Sequence, residues 1–387
     1  MSSFLSPRSQ NRIVRWWYSL DRVSFFMIMG LCVLGVVMVA TASPSVADRT
    51  GDLSSYHFLF RHLLFIGPAV GAIVTISFFQ AKWVLRLCTV IFLCAAIGVI
   101  ASLFFGMEIK GATRWIRLFG FSLQPSEFLK PAFIVLSAWL LGQQKINEHF
   151  PGIIAALGLF VISAGLLILQ PDFGMCFLLT IVFGMQIFLV GCPLRYIVIL
   201  GGLCVVGIMV AYFSLSHVQS RVDRFLNPES GDSYQIDKSK EAFMNGGFIG
   251  TGPGQGTVKN QVPDIHSDFI FTAMGEELGF LLSGLFVCGL AFLFYRLLSH
   301  FTRAQSLFVM LAGSGLVFML VVQSFIHMGS TLQLIPAKGM TLPLISYGGS
   351  SLLAVGISFG LILALSRGLN EDRPRGTWRH LTKKEKI

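Results

Sequence analysis

The stretch HSDFIFTAMGEELGFLLSGLFVCGLAFLFYR, residues 266–296, decides how the chain is read. From Ile270 onward it is almost wholly apolar, and a bilayer core of about 30 Å needs about 20 such residues in one helix. Its first turns nevertheless carry Asp268, Glu276 and Glu277. Charges in or beside a spanning segment are costly and usually mark a site. The segment predicts a membrane helix over 270–297 with a polar constellation at one end. Asp268, Thr272 and Glu276 recur every four residues, which sets one polar stripe on a helix. Glu276 falls about 12 Å of helix beyond Asp268, at about 1.5 Å per residue.

Outward from this stretch, nine further apolar runs predict spans at 23–43, 58–79, 84–105, 127–142, 151–169, 173–190, 196–214, 306–326 and 346–366. The composition agrees: 54% of the 387 residues are hydrophobic and 12% are charged, with a mean hydropathy of +0.73. The fold class is therefore an all-α polytopic membrane protein of ten transmembrane helices. One membrane domain, 23–366, sits between a basic, aromatic segment, 1–22, and a basic tail, 367–387.

The net charge of +10 does not indicate nucleic acid, because of where the charge lies. Arg8, Arg12, Arg15 and Arg22 precede the first span, and Arg367, Arg373, Arg375, Arg379, Lys383, Lys384 and Lys386 follow the last. The positive-inside rule then places both termini in the cytoplasm, which an even number of spans satisfies. Trp16, Trp17 and Tyr18 read as an interfacial anchor. The seven cysteines lie in or at the ends of apolar runs without CxxC or His clusters, so no zinc site or disulfide framework is read. One outer loop, 215–269 between spans seven and eight, is long enough to expect a function of its own. Its SYQIDKSKEAFMNGGFIGTGPGQGT reads as an amphipathic helix followed by a Gly-rich turn. The GTGPGQGT turn could offer N–H groups to a phosphate or be a plain turn.

Four more segments hold candidate chemistry. GATRWIRLFGFSLQPSEFLK, 111–130, sets Glu127 and Lys130 three apart on one helical face, after a proline suited to a first turn. They are either a local ion pair or an oriented pair lining a polar cavity; Arg114 and Arg117 nearby favour an anionic ligand. In LQPDFG, Asp172 is either a helix cap or part of the site. Its DFG has no accompanying kinase motifs and is a chance match. His266, beside Asp268, is weak evidence alone. Asp268 is either an N-cap or a general base or metal ligand facing an outer cavity. In IPAKGMTLPLISYGGSS, Lys338 could meet an anion, and Ser346, Tyr347, Ser350 and Ser351 supply hydroxyls on irregular backbone. All these segments fall on the same, outer side. Taken this far, the residues indicate a membrane enzyme or transporter with an outer site for an anionic ligand.

GATRWIRLFGFSLQPSEFLK, QPDFG, HSDFIFTAMGEELGF and LPLISYGGSS also resemble, in order, the signature blocks of the SEDS family (shape, elongation, division and sporulation). AKGMTLPLISYGGSS and the opening WWYSLDR…ATASPSVA are more similar to its cell-division branch than to its elongation branch. The resemblance implies a peptidoglycan glycosyltransferase of the bacterial inner membrane acting on lipid II, a disaccharide-pentapeptide on undecaprenyl diphosphate. It implies a class B penicillin-binding protein as partner, with other divisome membrane proteins, and cell-shape and cell-wall roles. It matches the family's essential aspartate to Asp268, its Glu and Lys to Glu127 and Lys130, and its QPD aspartate to Asp172. Substrate contacts are expected from Arg114, Arg117, Glu127, Lys130, Asp172, His266, Glu276, Glu277, Lys338, Ser346 and Tyr347. A divalent cation, Mg2+ or Mn2+, with Asp268 as a ligand, would be one way to steady a diphosphate. A flippase for lipid-linked sugar is the main alternative, and a pure division scaffold the third.

Overall fold

The computed structural model describes residues 11–50, 54–109, 112–118, 120–214, 218–220, 222–223, 234–336 and 339–371. Lys338, Arg221, Arg224, residues 1–10 and most of the basic tail lie outside the described residues. A short helix, α1 (Arg12–Ser19), leads into α2 (Arg22–Thr50), α3 (His57–Ser77) and α4 (Ala81–Phe105). Then follow α5 (Pro125–Ile146), α6 (Gly152–Leu169), α7 (Phe173–Leu189) and α8 (Leu194–Ser214). The segment after α8 contributes α9 (Tyr234–Gly246), and α10 (Ile270–Phe301), α11 (Leu307–Thr331) and α12 (Gly349–Glu371) follow.

Eight of these helices are long and apolar enough to cross a membrane. The other two at expected span positions differ in kind: α7 is apolar but only 17 residues long, and α5 carries Glu127, Lys130 and Lys145. The fold is not purely helical. Residues 107–123 form a three-stranded antiparallel sheet, β1 (Met107–Ile109), β2 (Ala112–Leu118) and β3 (Phe121–Leu123), where a bare loop was expected. Arg117 pairs with Ser122 and Ile116 with Leu123 in this hairpin.

α5 is the central helix and packs against α4, α6, α7, α11 and α12. Its buried Phe133 meets Phe160 and Phe183, which stack at 4.9 Å. Gln186 of α7 donates to the Ile134 carbonyl (2.9 Å) and accepts from Ser137 (2.7 Å), so its amide is satisfied in an apolar interior. α12 runs along α3. At the opposite end from the candidate site, Arg296 forks onto Asp21 at 2.7 and 2.9 Å. Trp16 is buried against the protein: it stacks on Phe78 and its indole N–H donates to Ser77 at 2.8 Å. Only Tyr18 of the three aromatics is exposed.

The expected eighth span is interrupted. Gly279 takes φ 69° and ψ −176°, a region open essentially to glycine alone, and breaks α10 into two halves. The groups this frees are paired. The Glu276 and Glu277 carbonyls accept from Thr251 and Gly252, and the Phe280 and Leu281 N–H groups donate to Gly247 and Phe248. Residues 247–252, a turn in which Gly250 N donates to the Gly246 carbonyl, thus lie across the break. After the break, about 22 residues remain, some 33 Å of helix, which spans a bilayer core unaided. The half-helix 270–278 is therefore not needed to give this segment the length of a span.

Candidate functional site

Glu276 and Glu277 were expected to meet substrate; the structure gives both to the chain's own loop. Glu276 is fully buried. Its Oε1 accepts from the Asn245 amide (2.7 Å), Thr257 N (3.0 Å) and Val258 N (2.9 Å), and its Oε2 accepts from Lys259 N (2.6 Å). Glu277 accepts from Gly254 N at 3.0 Å and pairs with the Lys259 ammonium. That ammonium also donates to the Thr41 carbonyl of α2 (2.6 Å). The GTGPGQGT turn does present N–H groups to an anion, but the anions are these two carboxylates. Thr272, on the same expected stripe, shares a hydrogen bond with Ser239 of α9 at 2.6 Å. The stripe is an interface between α9, the turn and the outer half of α10.

What this scaffold holds in place is the segment just before α10. Asp268 is half-buried, with its N–H donating to the Asp264 carbonyl. Its carboxylate lies against the backbone of Gly339, where a Cβ would stand 2.7 Å from Oδ2. Only a glycine allows so close an approach. His266 is buried between Phe58 (ring centroids 4.5 Å) and Tyr347 (4.9 Å), and its carbonyl accepts from Tyr347 N at 2.9 Å. Burial pushes the His266 imidazole down to about 4, so it is neutral at pH 7. Burial raises Tyr347 above its ordinary value, while the neighbouring Arg61 pulls it back. Ser346 accepts from Leu342 N at 2.8 Å, and Ser350 accepts from Gln124 N at 2.9 Å at the entrance to α5. Thr341 and Ser351 share a hydrogen bond. These hydroxyls mainly secure the irregular 339–351 backbone.

Glu127 and Lys130 form a buried ion pair, Nζ to Oε2 at 2.8 Å, one turn apart on α5. The contact is off the hydrogen-bonding direction, so that Oε2 makes no hydrogen bond. Lys130 also donates to Gln323 Oε1 of α11 (3.4 Å), and Gln323 Nε2 donates to the Thr341 carbonyl (2.9 Å). The pair is thus linked through Gln323 to Thr341, in the same short stretch whose Gly339 meets Asp268.

Arg114 and Arg117 do not act together. Three residues apart on a strand, they point to opposite faces. Arg114 donates to the Gln170 carbonyl at 3.1 Å and to the Pro171 carbonyl, and lies 3.6 Å from Asp172. Asp172 in turn caps α7 through Met175 N. So Asp172 serves as a cap within a buried knot that ties the hairpin to the α6–α7 turn. Arg117 is exposed.

Among the described residues there is no group of three or more His, Cys, Asp or Glu that could hold a metal. Asp268 alone offers one carboxylate, short of a protein-built cage. An open cavity of about 480 Å³ lies on α9, between Asp237, Lys240, Glu241, Met244, Asn245 and Val258; none of the expected site residues lines it. Sequence reading missed Gln323, His327 and Asn245. The signal for the first two was present: Gln323 and His327 are polar, four apart, in an otherwise apolar run.

Known proteins resemble the chain over nearly all of its length. The probable peptidoglycan glycosyltransferase FtsW of Caulobacter vibrioides is 39% identical over 352 residues, covering 91% of this chain and 90% of that protein. The namesake from Trichlorobacter lovleyi is 36% identical over 362 residues, covering 90% and 93%. A chain of a solved peptidoglycan synthase complex, described as coordinating polymerization and crosslinking, superposes with a TM-score of 0.74. It is 25% identical and covers 91% of this chain and 99% of that one. The rod shape determining protein RodA of Thermus thermophilus, 24% identical, has the same fold at a TM-score of 0.66, covering 91% and 98%. Residues 22–371 match the FtsW/RodA/SpoVE family, and the chain belongs to that family of cell cycle proteins.

Proposed function

We propose that the chain polymerises lipid II into glycan strands at the division septum, with Asp268 as general base. It is a peptidoglycan glycosyltransferase of the cell-division type, a multi-pass protein of the bacterial inner membrane, as its relatives' names support. In the finer reading, ten helices cross the membrane, both termini are cytoplasmic, and the site faces the periplasm. A class B penicillin-binding protein supplies the crosslinking activity, in line with the similarity to a chain of a synthase complex, and other divisome membrane proteins gather around the pair.

The observation that carries this reading is the meeting of Asp268 with the Gly339 backbone, in a stretch that Gln323 links at Thr341 to the buried Glu127–Lys130 pair. Asp268 accepts the proton of an acceptor sugar hydroxyl as that oxygen attacks the anomeric carbon of the donor. The new glycosidic C–O bond forms as the bond to the diphosphate breaks, and undecaprenyl diphosphate leaves with inversion at carbon. Positive charge steadies the developing anion. Arg117, exposed on the hairpin, supplies it by contact, and Lys130 contributes from within the protein. Arg114 acts indirectly, by fixing the Asp172 turn.

The test is lipid II polymerisation by the purified chain with its penicillin-binding partner. Asp268→Asn keeps the shape and removes the base, so product formation should fall by about 10²–10⁴-fold. A folded Asp268→Asn protein with wild-type polymerisation would remove Asp268 from this role. Lipid II scrambling in proteoliposomes without any polymer from the wild type would favour the flippase reading.

A further inference from the structure

α11 carries two polar residues one turn apart, Gln323 and His327, both buried. They grip successive carbonyls of one backbone stretch. Gln323 Nε2 donates to the Thr341 carbonyl at 2.9 Å, and His327 Nδ1 lies 2.6 Å from the Met340 carbonyl. A carbonyl oxygen only accepts, so His327 must carry its proton on Nδ1. Its Nε2 is buried and has no hydrogen-bond partner. Gln323 is oriented just as strictly: its Oε1 faces the Lys130 ammonium, which only donates, and its Nε2 faces a carbonyl, which only accepts. Gly339, the residue before the gripped pair, is the one against which the Asp268 carboxylate rests.

We propose that Gln323 and His327 are positioning residues: together they hold the 339–341 strap so that it sets the place of Asp268 relative to the Glu127–Lys130 pair. Neither touches the reacting atoms; both act through the backbone they hold. The inference rests on the reading of Asp268 as the base. Two features favour a dedicated device over ordinary core packing. Two buried side chains one turn apart on α11 reach two neighbouring carbonyls of an irregular strap, and buried donors of this kind are costly unless each has its acceptor. Gln323 further couples the strap to Lys130 with a single amide that no other side chain replaces. Glutamate would turn an oxygen onto the Thr341 carbonyl, and leucine would leave both Lys130 and that carbonyl short of a partner.

The tautomer makes the proposal testable. Asparagine places its amide N–H near the position of histidine Nδ1, whereas glutamine places it near Nε2. The experiment compares wild type, His327→Asn, His327→Gln, His327→Leu and Gln323→Leu in the full chain, in nanodiscs with its penicillin-binding partner. Two quantities are read: hydrogen exchange of the peptide covering 339–348, and kcat and KM for lipid II. His327→Asn should retain slow exchange and a kcat within about threefold of wild type. The other three should exchange faster and lose about tenfold to a hundredfold in kcat, the scale of a small misplacement, with KM nearly unchanged. Exchange unaltered in all variants overturns the grip, whether or not the chain polymerises lipid II. Faster exchange with wild-type kcat overturns the positioning role. Equal behaviour of His327→Asn and His327→Gln overturns the Nδ1 assignment. A wild type that makes no glycan strikes the proposed function itself, and the exchange data still decide the grip.

Discussion

Replacing Gly279 by alanine attacks the break in α10 at its one indispensable point. A Cβ there would collide with Gly250 N and the Ile249 backbone, and the φ of 69° is itself unfavourable to any other residue. The variant has two ways out: the 247–252 turn moves off, or α10 straightens into one helix. Either way the bonds at 3.0 Å (Thr251 to Glu276), 3.0 Å (Gly252 to Glu277), 2.9 Å (Phe280 to Gly247) and 3.1 Å (Leu281 to Phe248) are lost. At about 1 kcal/mol net for each, the local structure loses about 4 kcal/mol. Hydrogen exchange reads this directly, since about 4 kcal/mol of lost protection is about a 10³-fold faster opening. Peptides covering 247–258 and 276–283 should accelerate together in Gly279→Ala, while those of α5 and α12 stay as in wild type. Unchanged exchange at 247–258 would refute the account of a break held by that turn.

The remaining predictions concern the side chains around this frame. Glu276→Gln turns an NH2 toward a backbone donor in a cage of N–H groups, and should lower stability toward detergent unfolding by about 3 kcal/mol. Stability equal to wild type would mean that the cage does not need the carboxylate. His266 supports a pH prediction. Its folded value of about 4 lies below the ordinary 6.5, so the unfolded chain binds more protons between them. The stability from keeping it neutral is complete above pH 6.5 and is lost as pH falls through 4. His266→Phe, packed between Phe58 and Tyr347, should flatten that part of the profile; parallel melting curves for the two proteins at pH 7.5 and 5 would sink the idea.

The helices were legible because an apolar run of span length suits little besides a helix crossing a bilayer. The convergence of the charged segments on one side was legible too, from topology alone. Gly279 was not: an isolated glycine inside an apolar run leaves the pattern intact, and only the pairing with 247–252 shows that the chain turns there. Glu276 and Glu277 read as site residues because a carboxylate near hydrocarbon needs a reason, and sequence cannot tell a ligand from a ring of backbone N–H groups. The hairpin at 107–123 escaped because its strands are short and lie between strong helical signals. Arg114 and Arg117 looked like one pair until strand geometry put them on opposite faces.

The stitched break also bears on how the molecule is made. Asn245, the GTGPGQGT turn and residues 276–281 are joined across separations of only 17 to 31 residues in the cited side-chain contacts. Contacts so local form quickly, because little chain entropy is lost in closing them. By loop closure alone, the segment 245–281 therefore closes on itself ahead of its contacts with distant helices. Its link to the N-terminal helices is a separate, later event: Lys259 reaches the Thr41 carbonyl across a separation of 218 residues. The same lysine that neutralises Glu277 is thus the latch by which a locally folded cap is docked onto the first membrane helix.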